Sequence, residues 1–419
     1  MNVQKGTAVI IGGGISGLAS AYYLLKGGWK VTLLDKGDLF DNCSSGNAGM
    51  IVPSHFIPLA APGMVSKGIK WMFNSRSPFY VKPSLDFSLI SWGLKFMKAA
   101  TEANVERAAP HLRDYHLLSK KLYEDLVRDE NLDFGLEEKG ILMLYKSDKT
   151  GEEEIHVGKQ GQQLGLDIDM LSREQVQALE PGIQLDVAGA VHYRCDAHLY
   201  PTALVNGLIR SITTLGAEIV KNTEVTGFDI QNGEIKRVKT AAKTYEGDLV
   251  VMTGGSWLPQ LAKQAGLSIP VMPGKGYSFM EPNATHPIVH PALLLEARVA
   301  VTPMNGQVRF GGTMELAPLN KQINMNRVEG IVNSIPQYYP ELNVALPQKD
   351  RIWYGFRPCS PDGLPYLGYS KKLSNLIVAG GHGMMGISLG TGTGKIVAEL
   401  AERVKPSVSV SLYDPERYQ

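Results

Sequence analysis

Residues 7–36 read TAVIIGGGISGLASAYYLLKGGWKVTLLDK. Residues 8–11 are apolar throughout, as a strand buried on both faces requires. Gly12, Gly14 and Gly17 follow in GxGxxG spacing. The first permits a tight turn, the second lets backbone approach a pyrophosphate, and the third lets a helix pack close to the strand. The helix opening at Ile15 and Ser16 would offer free N–H groups and its positive dipole end to phosphate. A second strand, KVTLLD, ends in Asp35, with Lys36 next to it. A carboxylate there accepts hydrogen bonds from an adenosine ribose and repels a 2′-phosphate, which disfavours NADP. Strand, glycine turn, helix, strand and acid agree on a dinucleotide site. The stretch alone does not choose between NAD and FAD.

The chain has 419 residues, enough for two or three lobes. Its 42 Lys+Arg against 41 Asp+Glu leave a formal net charge of +1, so no whole-chain field favours nucleic acid. Cys43, Cys195 and Cys359 lie far apart and form no CxxC, which fits a reducing, cytoplasmic compartment and argues against a disulfide framework or a cysteine metal site. His286 and His290 stand four apart amid prolines, poor ground for a helical metal pair, and no metal is expected. No signal peptide is apparent, and no run of 18 apolar residues offers a membrane span.

The first helix-strand plan recurs at the far end of the chain. Residues 373–404 read as strand, glycines and helix, and residues 248–257 as strand and glycine turn. Between them, the spacing of Val105, Leu112, Tyr115, Leu118, Leu122 and Leu126 predicts a helix over 102–130. Ser172 and Gln175 have capping-box spacing. Asn232-Gly233 predicts a hairpin turn. The dinucleotide domain is therefore discontinuous, over 1–55, 190–265 and 355–419. A substrate domain is inserted over 56–189 and 266–354. An NAD dehydrogenase more often keeps its nucleotide unit contiguous, so the interruption tilts the choice to FAD.

At this point the residues resemble the FAD-dependent D-amino-acid oxidase superfamily, on the branch of the bacterial D-amino-acid dehydrogenases. The motifs are VIIGGGISGLASAYYL, CSSGNAGMIVP, PLAAPGMVSKGIKWMF, PGKGYS, GFRPCSPDGLPYLG and NLIVAGGHGMMGISLGTGTGKIVAEL, in that order over nearly the whole chain. The resemblance implies an α/β fold, with a Rossmann-like FAD domain and an α+β substrate lobe built on a large mixed sheet. It implies oxidation of a D-amino acid to an imino acid by hydride transfer to non-covalently bound FAD. By the same resemblance, FAD contacts are expected at Ser44, Ser45, Gly46, Asn47, Ala48, Gly49, Met50 and Val225, and at Gly254, Gly255 and Trp257. Asp35 stands where many relatives carry Glu, Cys43 where Thr is usual, and His55 where the dehydrogenases carry Tyr. The last change points away from a D-alanine-type pocket, toward D-proline or a hydroxy-D-proline.

Hydride transfer needs no protein nucleophile; the cofactor carries the hard step and the protein positions. Arg357, in GFRP, is the candidate carboxylate clamp, since guanidinium binds carboxylate bidentately. Tyr277 either adds its hydroxyl to that clamp, helps close the pocket, or is a core tyrosine. Lys275 would share its face and reads as solvated. GGHGMMG, residues 380–386, should open a helix toward the flavin pyrimidine edge, with Gly381, Gly383, Met384, Gly386 and Ile387 at the cofactor. His382 then lies by the ring or is structural.

Residues 56–98 mix aromatic and aliphatic side chains with a local net charge of +5. They suit either an anionic lipid surface or a lobe with solvated lysines. The expected acceptor is a quinone or an electron carrier, with peripheral contact at the inner face of the cytoplasmic membrane. Two other readings stay open: a glycine- or sarcosine-type amine oxidase using oxygen, and a flavin-binding subunit of a larger complex.

Overall fold

The computed structural model describes residues 5–40, 42–64, 79–81, 86–282 and 286–419. Two sheets organise it. The first has the strand order Tyr366–Tyr369, Leu376–Gly380, Leu249–Met252, Thr7–Ile11, Lys30–Leu34, Glu218–Val220. Its strands run parallel except at the Tyr366–Tyr369 edge. Alternate residues serve its two faces, as a period of two demands. Ala8, Ile10, Val31, Leu33 and Val251 pack under the helices Ile15–Lys26, Pro201–Thr214 and Gly390–Ala401. Val9, Ile11, Leu34, Val250 and Met252 pack under a three-stranded meander over 225–245 and the helix Leu258–Gln264. The meander turns at Asn232 and Gly233, with φ of 52° and 72°, the expected hairpin.

The second sheet has nine strands in mixed directions. Its order is Trp353–Cys359, Met272–Glu281, Gln307–Leu316, Val299–Met304, Ala292–Leu294, Ile141–Tyr145, Gly189–Tyr193, Ile168–Ser172, with Phe79–Val81 beside Gln307–Leu316. Two expected domain boundaries need correction. Gly189–Tyr193 pairs with Ile141–Tyr145 and Ile168–Ser172, so residues from 190 onward do not join the nucleotide sheet until later. Trp353–Cys359 pairs with Met272–Glu281, so 355–359 also belong to the large sheet. Both strands are short segments beside a domain crossing, and periodicity carries no label of sheet membership.

The helix Glu102–Glu130 has the expected span, and Leu112, Tyr115 and Leu126 face inward as expected, but the rest of that face differs. His116 and Ser119 are buried, while Leu118 and Leu122 are only half-buried. The face docks on Gly390–Ala401, whose hydroxyls need partners: Tyr115 Oη lies 2.7 Å from Thr393 Oγ1, and Ser119 Oγ lies 2.9 Å from Thr391 Oγ1. Glycines let that C-terminal helix approach the first. A Cβ at Gly394 would sit 2.4 Å from the carbonyl carbon of Ala19. The C-terminal helix itself begins at Gly390. Residues 380–386 do not open it, which corrects the expectation. The positive φ of Gly381 and Gly383, 74° and 56°, turns the chain out of helical geometry first.

Of the 56–98 segment, 65–78 and 82–85 lie outside the described residues, and with them Lys67, Lys70, Trp71, Arg76 and Lys82. The helix Phe87–Ala99 is described; Asp86 caps it by accepting from the Ser88 N–H at 2.8 Å. No helix among the described residues is long and apolar enough to cross a membrane.

Candidate active site

The glycine turn sets the cofactor end. Gly12 holds φ at 107°, and a Cβ at Gly17 would lie 1.9 Å from the Gly12 carbonyl oxygen. Both positions are closed to larger residues by the protein itself. Gly14 differs: its Cβ would meet Ser44 Oγ at 3.7 Å and nothing nearer. That open space beside a helix start whose Gly14 offers no side-chain cap is the cradle a pyrophosphate requires. Ser44 Oγ accepts from the Ile15 N–H at 3.0 Å, tying the 44–50 loop to the turn. Ser16 is buried in the same first turn.

Asp35 accepts from the N–H groups of Gly13 at 2.6 Å and Gly37 at 2.7 Å, one on each oxygen. A carboxylate has about four acceptor directions, so capacity remains for ribose hydroxyls. Lys36 Nζ sits 3.4 Å from the centre of the Trp257 ring, a cation–π contact bridging the ends of two strands. Val225 is buried in the cluster with Ile11 and Leu34. Gly254 is closed by Leu261, whereas added Cβ atoms at Gly255, Gly383 and Gly386 would meet nothing within 4 Å. These residues fit FAD: they would hold the adenosine at Asp35, the pyrophosphate at Gly14 and the remainder along the 44–50 loop.

That loop is strapped to the large sheet. Arg309 Nη1 donates to the carbonyls of Asn47 at 2.5 Å and Ser45 at 3.3 Å, and Ser278 Oγ donates to the Gly46 carbonyl at 2.8 Å. Gly46 lies flat on Trp353; a Cβ there would be 2.0 Å from the ring. Gly49 has φ of 75° and leads into Met50, which pairs with His198. Arg309 and Ser278 were not singled out in the sequence; an arginine inside a strand run, VRFGG, was the available signal.

Beyond the loop lies a cavity of ≈ 300 Å³, bordered by Ala48, Met50, His55, Thr313, Arg357 and Met384 among others. Leu293, Leu295 and Met314 make its walls largely apolar. Arg298 and Arg357 are the cations that border it. Gly276, beside Arg357 on the neighbouring strand, leaves the room: a Cβ there would sit 1.9 Å from Arg357 Nη1. Nη1 donates to the Thr313 carbonyl at 2.8 Å, and no carboxylate among the described residues pairs with the guanidinium. Burial pushes its pKa below the ordinary arginine value. A half-buried guanidinium with carbonyl contact alone is set to take an anionic ligand group.

Tyr277 borders the cavity, but its hydroxyl does not reach this clamp. Gly274 pairs with Arg357 and Gly276 with Gly355, so these share one face, and Tyr277 with Tyr354 takes the other. The Tyr277 hydroxyl accepts from the Asn324 N–H at 3.2 Å on that far side. Lys275 shares the far face as expected, but it is buried, not solvated. Its Nζ donates to the side chain of Asn320 and to the Gln322 carbonyl at 2.6 Å.

His382 is buried behind the cavity, with Nε2 3.0 Å from Thr393 Oγ1, and does not border it. Burial holds it down to about 4. Its backbone bridges to Cys359, so its role is to fix the loop that carries Met384 and Met385 along the cavity. Ile387 accepts from the Tyr123 hydroxyl through its carbonyl at 2.6 Å, away from the cavity. His55 does border the cavity.

A sheet of this order with a glycine turn of this form, and a half-buried arginine across a loop from it, defines a two-domain flavin oxidoreductase. The family model described as FAD dependent oxidoreductase, DAO, matches residues 7–400, and the chain belongs to that family. It is 31% identical over 402 residues to a D-amino acid dehydrogenase of Helicobacter pylori, covering 95% of each chain. It is 30% identical to a D-amino acid dehydrogenase of Bradyrhizobium diazoefficiens, covering 98% of each. In fold it is similar to glycine oxidase from Geobacillus kaustophilus, with a TM-score of 0.78 and 23% identity over 100% of both chains. It is likewise similar to L-proline dehydrogenase from P. horikoshii, with a TM-score of 0.75 and 21% identity over 99% of this chain and 98% of the other. The chain is an FAD-dependent oxidoreductase. FAD, when bound, supplies the hydride acceptor. What the chain itself sets beside that site is a guanidinium, Arg357, among the apolar walls of Leu293, Leu295 and Met314.

Proposed function

We propose that this chain dehydrogenates a D-amino acid, with D-proline or a hydroxy-D-proline as the favoured class, and passes the electrons to a quinone or carrier. The observation that carries the reading is Arg357: a half-buried guanidinium in a cavity, held by one carbonyl and facing no carboxylate among the described residues. An α-amino acid presents the carboxylate that such a group orients. The relatives named D-amino acid dehydrogenase support the D-configuration. Apolar walls at Leu293, Leu295, Val52 and Met314 suit ring methylenes, and His55 offers a polar partner near them.

The helix Phe87–Ala99 supports membrane contact. It exposes Phe87, Ile90, Leu94 and Met97 on one side. The test of the whole reading is the anaerobic flavin spectrum of the purified holoprotein with D- and L-amino acids added separately, prolines included. Bleaching by D-prolines first, with slow reoxidation in air, is the expected result. Bleaching by glycine or sarcosine with fast peroxide formation would replace it, and a flavin that no amine bleaches would overturn it.

A further inference from the structure

A second polar device borders the same cavity. His55 lines it and also lines an adjoining cavity of ≈ 240 Å³. Its Nδ1 lies 3.1 Å from Ser54 Oγ, and Ser54 Oγ donates to Asp196 Oδ2 at 2.6 Å. The Ser54 N–H donates to Asp196 Oδ1 at 2.9 Å, so two bonds lock serine to carboxylate. Asp196 is wholly buried and Ser54 nearly so. Because the hydroxyl donates to the carboxylate, it accepts from the imidazole. The proton of His55 is thereby fixed on Nδ1, and Nε2 is left as an acceptor. No described residue partners Nε2, and the ring borders open space.

We propose that His55 Nε2 takes a proton from the substrate ammonium group, and that Ser54 and Asp196 relay it out of the cavity. The inference rests on the amino-acid reading above and deepens it. An ammonium has no lone pair, so it must lose a proton before a C=N bond can form as hydride departs to oxidised flavin. The substrate N–H bond breaks and an Nε2–H bond forms. The Nδ1 proton passes to Ser54 Oγ, and the Ser54 proton passes to Asp196 Oδ2. The amine keeps its electron pair, the histidine ends neutral with its tautomer reversed, and Asp196 ends as a neutral acid.

The surroundings favour that end point. Burial holds His55 down to about 4, so an imidazolium is a poor resting place. Burial pushes Asp196 up to about 7, so its carboxylate is a good one near neutral pH. Cys195 donates to Asp196 Oδ1 at 3.5 Å, with Lys120 and Tyr193 the further ionisable groups acting on it. His116 stands behind His55, and Arg298 and Arg357 share its cavity. None of these is a carboxylate that could substitute for Asp196.

The test is stopped-flow flavin reduction of the anaerobic holoenzyme at saturating D-proline, or the amino acid that bleaches it best, from about pH 6 to 10. The wild type should gain rate through an ionisation near 7. His55→Ala, Ser54→Ala and Asp196→Asn should each lose that ionisation. Their rates should fall at least tenfold at pH 8, as expected for loss of a positioned base, and recover toward pH 10, where the amine arrives deprotonated. Added imidazole should partly restore His55→Ala. Binding of pyrrole-2-carboxylate, read from the flavin spectrum, should be unchanged in Ser54→Ala and Asp196→Asn, neither of which borders the cavity. Variants slowed by one factor at every pH, with the wild-type profile kept, would overturn the relay. Ser54→Ala, the smallest change, decides the matter if Asp196→Asn does not fold. A wild type that no amino acid reduces would instead sink the underlying reading, and is seen before any variant is made.

Discussion

Arg357 donates through Nη1 to the carbonyl oxygen of Thr313 at 2.8 Å, and Thr313 holds φ at 62°. A β-branched residue in the left-handed region costs on the order of 1–3 kcal/mol. The cause is a shift of register: Lys275 pairs with Glu315 but Tyr277 with Gly312, so Thr313 lies in a bulge. The bulge aims one carbonyl at the guanidinium. A single carbonyl contact orients the fork and leaves other donors for a ligand.

Removing that fork should be costly to catalysis and nearly silent elsewhere. Arg357→Met should lower kcat/KM by about 3–5 kcal/mol, roughly 150- to 5,000-fold, with FAD content unchanged. Arg357→Lys should recover little, because a point charge does not reproduce the fork. Gly276→Ala should act on the same quantity indirectly, since its methyl would displace Nη1. Steady-state kinetics beside the flavin-to-protein absorbance ratio checks all three. Equal losses of flavin and activity would contradict the assignment.

The two glycines of the nucleotide turn should fail differently. Gly17→Ala drives a Cβ to 1.9 Å from a backbone oxygen that cannot retreat cheaply, so the protein should express poorly or melt well below wild type. Gly14→Val places its side chain in open space. It should fold, but bind FAD at least tenfold more weakly. Thermal unfolding of the apoprotein and titration with FAD separate the two outcomes.

Acid stability should be set by the buried histidines. His55 and His382 are held down to about 4 by burial, against 6.5 when unfolded. Between those values the folded chain binds fewer protons than the unfolded one. Their contribution is therefore full above pH 6.5 and lost as pH falls through about 4, about 3 kcal/mol for each. Asp196 works in the opposite sense, since a carboxyl pushed up to about 7 gives stability that is present below 3.8 and lost as pH rises through about 7. The unfolding midpoint should drop steeply from pH 6.5 to 4, and His382→Asn should flatten part of that drop. Asp196→Asn should instead flatten the decline from pH 4 to 8.

Much of this was legible in the chain. The strand, turn and acid of residues 7–36 announce a dinucleotide sheet because each glycine answers a local steric demand. Arg357 was legible because its motif travels with it. What stayed hidden depends on register between distant strands. Nothing in PGKGYS says that Gly276, not Tyr277, faces Arg357; that follows only once Gly274 is opposite it. Ser54 and Asp196 lie 142 residues apart and look like ordinary loop residues until they meet. The glycines at 390, 392 and 394 gave no sign of their packing role, which is to admit Ile15, Tyr115 and Ala19.

The last prediction concerns the helix Phe87–Ala99, which is apolar on two sides. Leu89 and Trp92 are buried with Met272, Met314 and Cys359, and Trp92 Nε1 donates to the Cys359 carbonyl at 2.9 Å. Phe87, Ile90, Leu94 and Met97, at spacings of three, four and three, form one stripe and are 86%, 46%, 59% and 50% exposed. Lys95 and Lys98 lie at its C-terminal end. A stripe of this size beside lysines matches an anionic lipid surface, where each large side chain gains up to about 1.5–3 kcal/mol on burial and each lysine about 1 kcal/mol. The holoprotein should co-sediment with phosphatidylserine-containing vesicles at low salt and less with neutral ones. Ile90→Glu with Leu94→Glu should abolish that binding while leaving flavin reduction by the amino acid unchanged, because neither residue borders the cavity. Reduction of a membrane quinone should then fall with vesicle binding. A double variant that still sediments as the wild type does would remove this helix from any membrane role.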